Sequence, residues 1–145
     1  MIPPAALNDE RLILINESYR RLTGKRLIDP FDFRALWNAD RAIVAHGLED
    51  DPVFFYGNRM ALQLFEMSFE EFTRMPSRFS AEPVAQPLRA ALLEQVAKQG
   101  YVDNYAGVRI AKSGNRFTIV DGTVWNLVDV AGICHGQAAT FIVQP

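Results

Sequence analysis

Cysteine, histidine and long apolar runs are scarce in this chain of 145 residues, which has one cysteine, Cys134, and two histidines. A single cysteine forms no intramolecular disulfide, and with two separated histidines it gives no zinc-binding pattern. The apolar runs are a few residues long, far below the roughly 20 residues that a helix needs to span a bilayer. The first residues lack a basic start followed by an apolar core, so no signal peptide is predicted. We therefore expect a cytoplasmic protein without a membrane span.

Charge is nearly balanced, with 15 Lys and Arg residues against 17 Asp and Glu residues and a formal net charge of −2. Such a balance creates no broad positive field for phosphate backbones, so a nucleic-acid partner is not predicted. Hydrophobic residues make up 49% of the chain, which is ordinary for a soluble globular protein. A chain of this length suits one compact domain that needs no disulfide or metal support.

Motifs of common enzymes and cofactor proteins are also missing. The chain contains no G-x-S-x-G, no P-loop and no G-x-G-x-x-G. The helix predicted before the last three strands has no histidine for haem, and His46 and His135 stand beside glycines, as turn histidines do. We therefore predict no catalytic residue and no metal site, and the sequence identifies no cofactor.

An amphipathic helix is predicted near the N-terminus, from about Asn8 to Thr23. Spacings of three, four and three residues place four apolar side chains on one face: Leu12, Ile15, Tyr19 and Leu22. Gly24 is a plausible C-terminal stop, and a second short helix is predicted over 30–37. The apolar face either packs on the chain's own sheet or pairs with a partner. We treat residues 1–39 as an N-terminal helical extension.

Five strands are predicted after this extension, at 42–45, 53–56, 101–111, 116–130 and 133–143. Between the second and third strands we expect a helix over 59–67 capped by Asn58, a short helix opened by a Ser68–Glu71 capping box, a loop over 76–83 and a helix from Pro87 to Gln99. Gly122, inside the fourth strand, indicates a bulge or a close contact. The order predicts an α+β domain with an antiparallel sheet, helices on one face and a ligand pocket between them.

This order resembles that of PAS domains, and the sequence around the second strand and the following helix, 53–68, is similar to theirs. Within that superfamily the chain resembles MEKHLA-domain proteins over almost its whole length. The segments that carry this resemblance are Tyr56–Arg59, Leu64–Met67, Pro76–Pro83, Gly107–Ile110, Val124–Leu127 and Gly136–Phe141. The resemblance implies a PAS-like unit over 40–145. It also implies a regulatory and interaction role, like that of the domain at the C-terminal end of plant homeodomain–leucine zipper regulators, and it carries over no ligand or activity.

The segment Pro76–Phe79 also resembles the flavin-binding loop of light-sensing PAS domains. Those domains carry a reactive cysteine where this chain has Ser77, and a hydroxyl is far less acidic than a thiol. The flavin-facing asparagine and glutamine of that loop are replaced here by Pro76 and Ala81. Flavin photochemistry is therefore not predicted.

A pocket is predicted from strand alternation. Comparison with PAS domains places one face of the fourth strand toward the helices: Phe117, Ile119, Asp121, Thr123, Trp125 and Leu127. The same reasoning turns Arg109, Gln137, Ala139 and Phe141 toward the helices. A buried Arg109 needs a partner, and Asp121 is the natural one, which would make the pair structural. Alternatively Arg109, Gln137, Thr123 and Arg78 hold a small polar ligand under Trp125, and an arginine fork favours a carboxylate or phosphate.

Three functions fit these expectations. The first is a non-catalytic regulatory module for signalling, which binds a small molecule or a protein partner and forms a homodimer through Leu12, Ile15, Tyr19 and Leu22. The second is a small α+β cone enzyme, an isomerase or dehydratase resembling nuclear transport factor 2, with Asp121 as base. The third is a dimerisation module with a filled core and no ligand.

Overall fold

Three helices precede the sheet in the computed structural model, which describes residues 1–82 and 86–144. They are α1 (Ala5–Asn8), α2 (Glu10–Thr23) and α3 (Phe33–Trp37). The Asp9 side chain caps α2 by accepting a hydrogen bond from the Arg11 backbone N–H at 2.9 Å. Gly24 ends α2 with a φ of 74°, which favours glycine. The helix predicted from about Asn8 to Thr23 is confirmed, while the second helix is shorter than predicted.

Five strands form one antiparallel sheet in the spatial order β2-β1-β5-β4-β3. The strands are β1 (Ala42–His46), β2 (Phe54–Gly57), β3 (Tyr101–Ile110), β4 (Arg116–Val128) and β5 (Cys134–Val143). Between β2 and β3 lie α4 (Arg59–Phe65), α5 (Phe69–Phe72), a 3-10 helix (Ser77–Ser80) and α6 (Gln86–Gln99). The predicted PAS-like α+β class is confirmed. Pro83, the end of the predicted loop, lies outside the described residues.

Asn58 joins β1, β2 and α4 and has no exposed surface. Its side-chain oxygen accepts hydrogen bonds from the backbone N–H groups of Ala61 at 3.1 Å and Ile43 at 3.0 Å. Its amide donates to the carbonyl oxygens of Arg41 at 2.8 Å and Leu36 at 3.3 Å. The predicted helix cap therefore also fixes the start of β1. The predicted Ser68–Glu71 capping box is present as well.

The apolar face of α2 packs against the chain's own sheet. Leu12, Ile15 and Tyr19 lie in one buried cluster with Trp125 and Leu127. The Tyr19 and Trp125 rings meet edge to face, with centroids 4.8 Å apart. The predicted homodimer contact through Leu12, Ile15, Tyr19 and Leu22 is not shown, because the first three of these side chains are already buried within one chain and Leu22 is half-buried. Of the two alternatives for this face, packing on the sheet is the correct one.

A β-bulge in β4 changes which side chains face the two sides of the sheet. The pairing of β4 with β5 shifts between Val120 and Thr123, and Asp121 has a φ of 51°. An added Cβ at Gly122 would lie 2.9 Å from the Tyr105 carbonyl oxygen, so the close approach of β3 requires glycine there. The extra residue reverses the alternation along the rest of the strand.

The reversal corrects the predicted inward row of β4. Before the bulge, Ile119 packs with the cluster that contains α4 and α5, as predicted. After it, Val124 packs against Leu92 and Val96 of α6, whereas Trp125 packs against α2. Trp125 and Leu127 therefore lie on the face opposite to the one predicted.

No helix in the described part of the chain is long and apolar enough to cross a membrane. The division into an extension over 1–39 and a PAS-like unit over 40–145 stays a prediction.

Candidate functional site

A small cavity of about 50 Å³ lies between the sheet and α6. Its apolar walls include Leu92 of α6 and Phe141 of β5, and its polar lining includes His46, Arg89, Arg109 and Gln137. A buried water needs roughly 10 to 15 Å³ by this measure, so the space suits a few waters or a few ligand atoms. The cavity thus combines a small volume with an unusual number of basic groups.

Arg109 reaches the cavity from β3 and is 9% exposed. Its guanidinium donates to the Tyr105 hydroxyl at 3.1 Å and to the Val108 carbonyl oxygen at 2.9 Å. The predicted pairing with Asp121 is wrong. The bulge turns the Asp121 side chain outward, where it is 64% exposed and lies 3.4 Å from the Arg41 guanidinium. Asp121 is therefore neither the partner of Arg109 nor a base in a deep pocket.

Arg89, which the sequence analysis did not identify, enters the cavity from α6 and is also 9% exposed. It donates to the Ser77 hydroxyl at 2.8 Å, and Ser77 is itself fixed by donating its backbone N–H to the Pro52 carbonyl oxygen at 2.7 Å. Burial, reinforced by the nearby positive charge of Arg109, lowers the pKa of Arg89 to about 10. Arg89 therefore stays charged at neutral pH in an unfavourable environment.

The helical pattern contained a signal for Arg89. Positions 89, 92 and 96 follow a spacing of three and four, so Arg89 shares the buried face of Leu92 and Val96. Leu88, the apolar residue next to Arg89 in the first turn, is instead 77% exposed. The buried face of this turn is therefore marked by the spacing of the positions and not by the apolar character of the side chain.

His46 lies at the end of β1 and is 8% exposed. Its Nδ1 is 3.1 Å from the Gly47 carbonyl oxygen, which assigns the proton of the neutral ring to Nδ1. Its Nε2 is buried and has no hydrogen-bond partner. Burial lowers the pKa of His46, and the positive charge of Arg89 lowers it further. The hydrogen bond to Gly47 acts in the opposite direction. A neutral His46 thus presents an unmatched acceptor.

The remaining predicted site residues are divided between the cavity and other places. Gln137 lines the cavity and donates to the Leu93 carbonyl oxygen at 3.2 Å and the Asn126 side-chain oxygen at 3.1 Å. Thr123 borders the cavity but is paired with Thr140 and shares the face of Trp125.

Two predicted residues lie outside the cavity lining. Trp125 is buried on the α2 face, where its Nε1–H donates to the Ser18 hydroxyl at 3.1 Å. The Arg78 guanidinium lies 3.0 Å from the Asp51 carboxylate, and its side chain is 48% exposed. Arg78 and Trp125 were predicted to belong to this pocket, and the structure places both of them outside it.

The charges around the cavity are not balanced. None of the ion pairs among residues 1–82 and 86–144 involves Arg89 or Arg109. Glu82, at the edge of the described segment, pairs with Arg116. The residues at 83–85 are proline, valine and alanine, which have no charge. The cavity therefore holds two positive charges that have no carboxylate partner within the described ranges 1–82 and 86–144.

A metal ion or a light-sensing flavin does not fit these residues. No group of His, Cys, Asp and Glu side chains suited to a metal occurs in the described residues. Cys134 lies at the start of β5, where its thiol contacts the Gly136 carbonyl oxygen, and Ser77 is bound to Arg89. A cavity of about 50 Å³ is also far smaller than the roughly 300 Å³ or more of sites for larger ligands.

Comparisons with known proteins agree with this fold. A model of the MEKHLA domain matches residues 10–144. A PAS domain from Colwellia psychrerythraea shares 17% identity with a TM-score of 0.65, over 77% of this chain and 92% of that one. A light-oxygen-voltage domain studied with a flavin analogue shares 17% identity with a TM-score of 0.65, over 78% of this chain and 84% of that one.

A PAS domain from a two-component sensor histidine kinase shares 18% identity with a TM-score of 0.62, over 77% of this chain and 91% of that one. Identities at this level show a common fold. A search of curated proteins found no match to this chain.

Proposed function

Since the chain belongs to the MEKHLA domain family, we propose that it is a regulatory sensory module that binds a small molecule between α6 and the sheet without catalysis. The observation that carries this proposal is the cavity itself, whose lining includes His46, a residue with a buried Nε2 that has no partner among the described residues. An unpaired buried acceptor destabilises a folded protein unless a ligand or water pairs with it.

The sheet offers a route from the cavity to the opposite surface. Val124 contacts α6, and the next residue, Trp125, packs on Tyr19 of α2. A ligand that shifts α6 against β4 would change the packing of both Val124 and Trp125, because closely packed side chains transmit displacement. In this proposal α2 is the element whose position reports ligand binding to a partner protein.

The alternative enzyme has less support, because its base, Asp121, is exposed and paired with Arg41. The dimerisation module with a filled core has less support as well, because the core contains this cavity. A homodimer stays a prediction, to be measured by light scattering, and its interface would not use the buried face of α2. The cytoplasmic location also stays a prediction, which cell fractionation would check.

Native and then denaturing mass spectrometry tests the proposal. The purified wild-type protein, or the protein after incubation with a metabolite extract, is expected to carry a small molecule that denaturation releases. Leu92→Trp should abolish binding by filling the cavity. Leu88→Trp places the same side chain on the exposed face of the same helix and should leave binding unchanged. A wild-type protein that holds no molecule after incubation would overturn the proposal in favour of an interaction module.

A further inference from the structure

We propose that the ligand of this cavity is a small organic acid whose carboxylate binds between Arg89 and Arg109. The inference rests on the proposed function and adds the chemical class of the ligand. It comes from two buried charges of the same sign, an apolar wall beside them and a nearby unmatched histidine nitrogen.

The described residues supply no counter-charge to either arginine. Arg89 and Arg109 are each 9% exposed, so their guanidinium groups repel one another and have lost most of their hydration. Burial of a charge is tolerated when an opposite charge pairs with it. Every ion pair of the described chain lies elsewhere. A bound anion would supply the missing partner.

Both arginines also have hydrogen-bond donors that no described residue uses. Among residues 1–82 and 86–144, Arg89 makes one side-chain hydrogen bond, to Ser77, and Arg109 makes two, to Tyr105 and Val108. A guanidinium has several further N–H donors arranged in a fork that matches a carboxylate. Both arginines therefore keep donors for an oxygen anion while their protein contacts hold them in place.

The volume and lining of the cavity favour a carboxylate over a phosphate. The cavity is about 50 Å³ and includes the apolar side chains of Leu92 and Phe141 in its lining, which suits a short carbon chain. His46 is neutral because burial lowers its pKa, and its free Nε2 accepts a hydrogen bond. A ligand hydroxyl would satisfy it, and the apolar wall suits the carbon chain of a carboxylic acid better than a phosphate, whose oxygen atoms surround the phosphorus on every side. A short hydroxy acid such as lactate combines these features.

Calorimetry and thermal unfolding with small probes at constant ionic strength test the inference. We expect sodium lactate and propionate to bind and raise the unfolding temperature. We expect propionamide, a neutral molecule of similar shape, and inorganic phosphate to have no effect. Arg89→Met and Arg109→Met should each weaken lactate binding at least tenfold. The control, Arg59→Met, changes an exposed arginine outside the cavity and should leave binding unchanged.

Several results would overturn the inference. Propionamide binding as tightly as propionate would show that charge is not recognised, and this comparison needs no variant to fold. Phosphate binding without carboxylate binding would contradict the assignment of a carboxylate, and lactate binding retained in both arginine variants would contradict the site. If a neutral molecule is released from the wild-type protein but not from Leu92→Trp, the sensory function stands and the carboxylate inference fails. If no molecule binds in any experiment, both fail.

Discussion

Replacement of Arg89 by methionine should make the ligand-free protein more stable. Methionine keeps most of the apolar stem of the arginine side chain but removes the charge. In wild type Arg89 is 9% exposed and stands near the positive charge of Arg109, with no carboxylate partner in the part of the chain that the structure describes. A residue selected for stability would not combine these features, whereas a residue that binds an anion would. The substitution therefore separates a binding role from a structural role.

The expected magnitude follows from the pKa of Arg89, which burial lowers from its ordinary value of 12.5 to about 10. Such a difference corresponds to about 3 kcal/mol by which folding disfavours the charged guanidinium. Because the pKa is lower in the folded state than in the unfolded state, this destabilisation is fully present at neutral pH. It is relieved only as the pH rises above about 10.

Loss of the hydrogen bond to Ser77 should offset about 1 to 2 kcal/mol of this gain. The net stabilisation is then about 1 to 2 kcal/mol, or roughly 3 to 6 °C in unfolding temperature for a chain of this size.

Urea and thermal unfolding of the ligand-free protein would measure this effect, with Arg59→Met as the matched exposed control. Arg109→Met should also be tolerated, and the double variant should gain less than the sum of the two single variants. Each single substitution already removes the repulsion between the two charges. A loss of 2 kcal/mol or more in Arg89→Met would refute the reasoning, because it would show that the charge is well paired in the folded protein.

Three further predictions concern the scaffold of the site. Asn58→Ala should lower the free energy of unfolding in urea by about 3 to 4 kcal/mol, because the four hydrogen bonds of its buried side chain are lost. A change below about 1 kcal/mol would show that Asn58 does not hold β1 and α4 in place. Gly122→Ala should destabilise the protein by about 1 to 3 kcal/mol, since its Cβ would lie 2.9 Å from the Tyr105 carbonyl oxygen. A variant with the same free energy of unfolding as wild type would contradict this close approach. The lowered pKa of His46 means that the unfolded state takes up a proton first as pH falls, so stability should decrease below about pH 6.5. His46→Gln should flatten this slope in urea unfolding between about pH 7.5 and 5.5. If the slope is retained in His46→Gln and lost in His135→Gln, which changes an exposed histidine, the pH dependence comes from His135 and this prediction is wrong.

Local sequence determined the ends of the helices. Asn58, Ser68 and Gly24 act through hydrogen bonds or backbone angles within a few residues, so their roles could be predicted without knowledge of the fold. The order of helices and strands, together with the family resemblance, predicted the α+β class and a pocket between the helices and one face of the sheet. Arg109 and Gln137 were predicted to face the helices, and both line the cavity.

The composition of the cavity was decided by tertiary structure. The sequence indicated a bulge or a close contact at Gly122, but strand alternation was counted through that position, so Trp125 and Asp121 were assigned to the wrong surroundings. A bulge turns every later side chain of the strand to the opposite face of the sheet. Its effect depends on the pairing of β4 with β5. Burial of Arg89 likewise depends on how α6 is rotated against the sheet.

The partner of α2 was the other point that the sequence left open. The spacing of Leu12, Ile15 and Tyr19 determined that this face would be buried, because a stripe of apolar side chains on a helix must be covered. Which surface covers this face depends on where the chain between α2 and β1 places the helix relative to the sheet. The sequence by itself therefore determined the elements, their ends and their apolar faces, which arise from contacts near in the chain. Only the tertiary structure decided which faces meet and which charges share a cavity, because those contacts join residues far apart in the sequence.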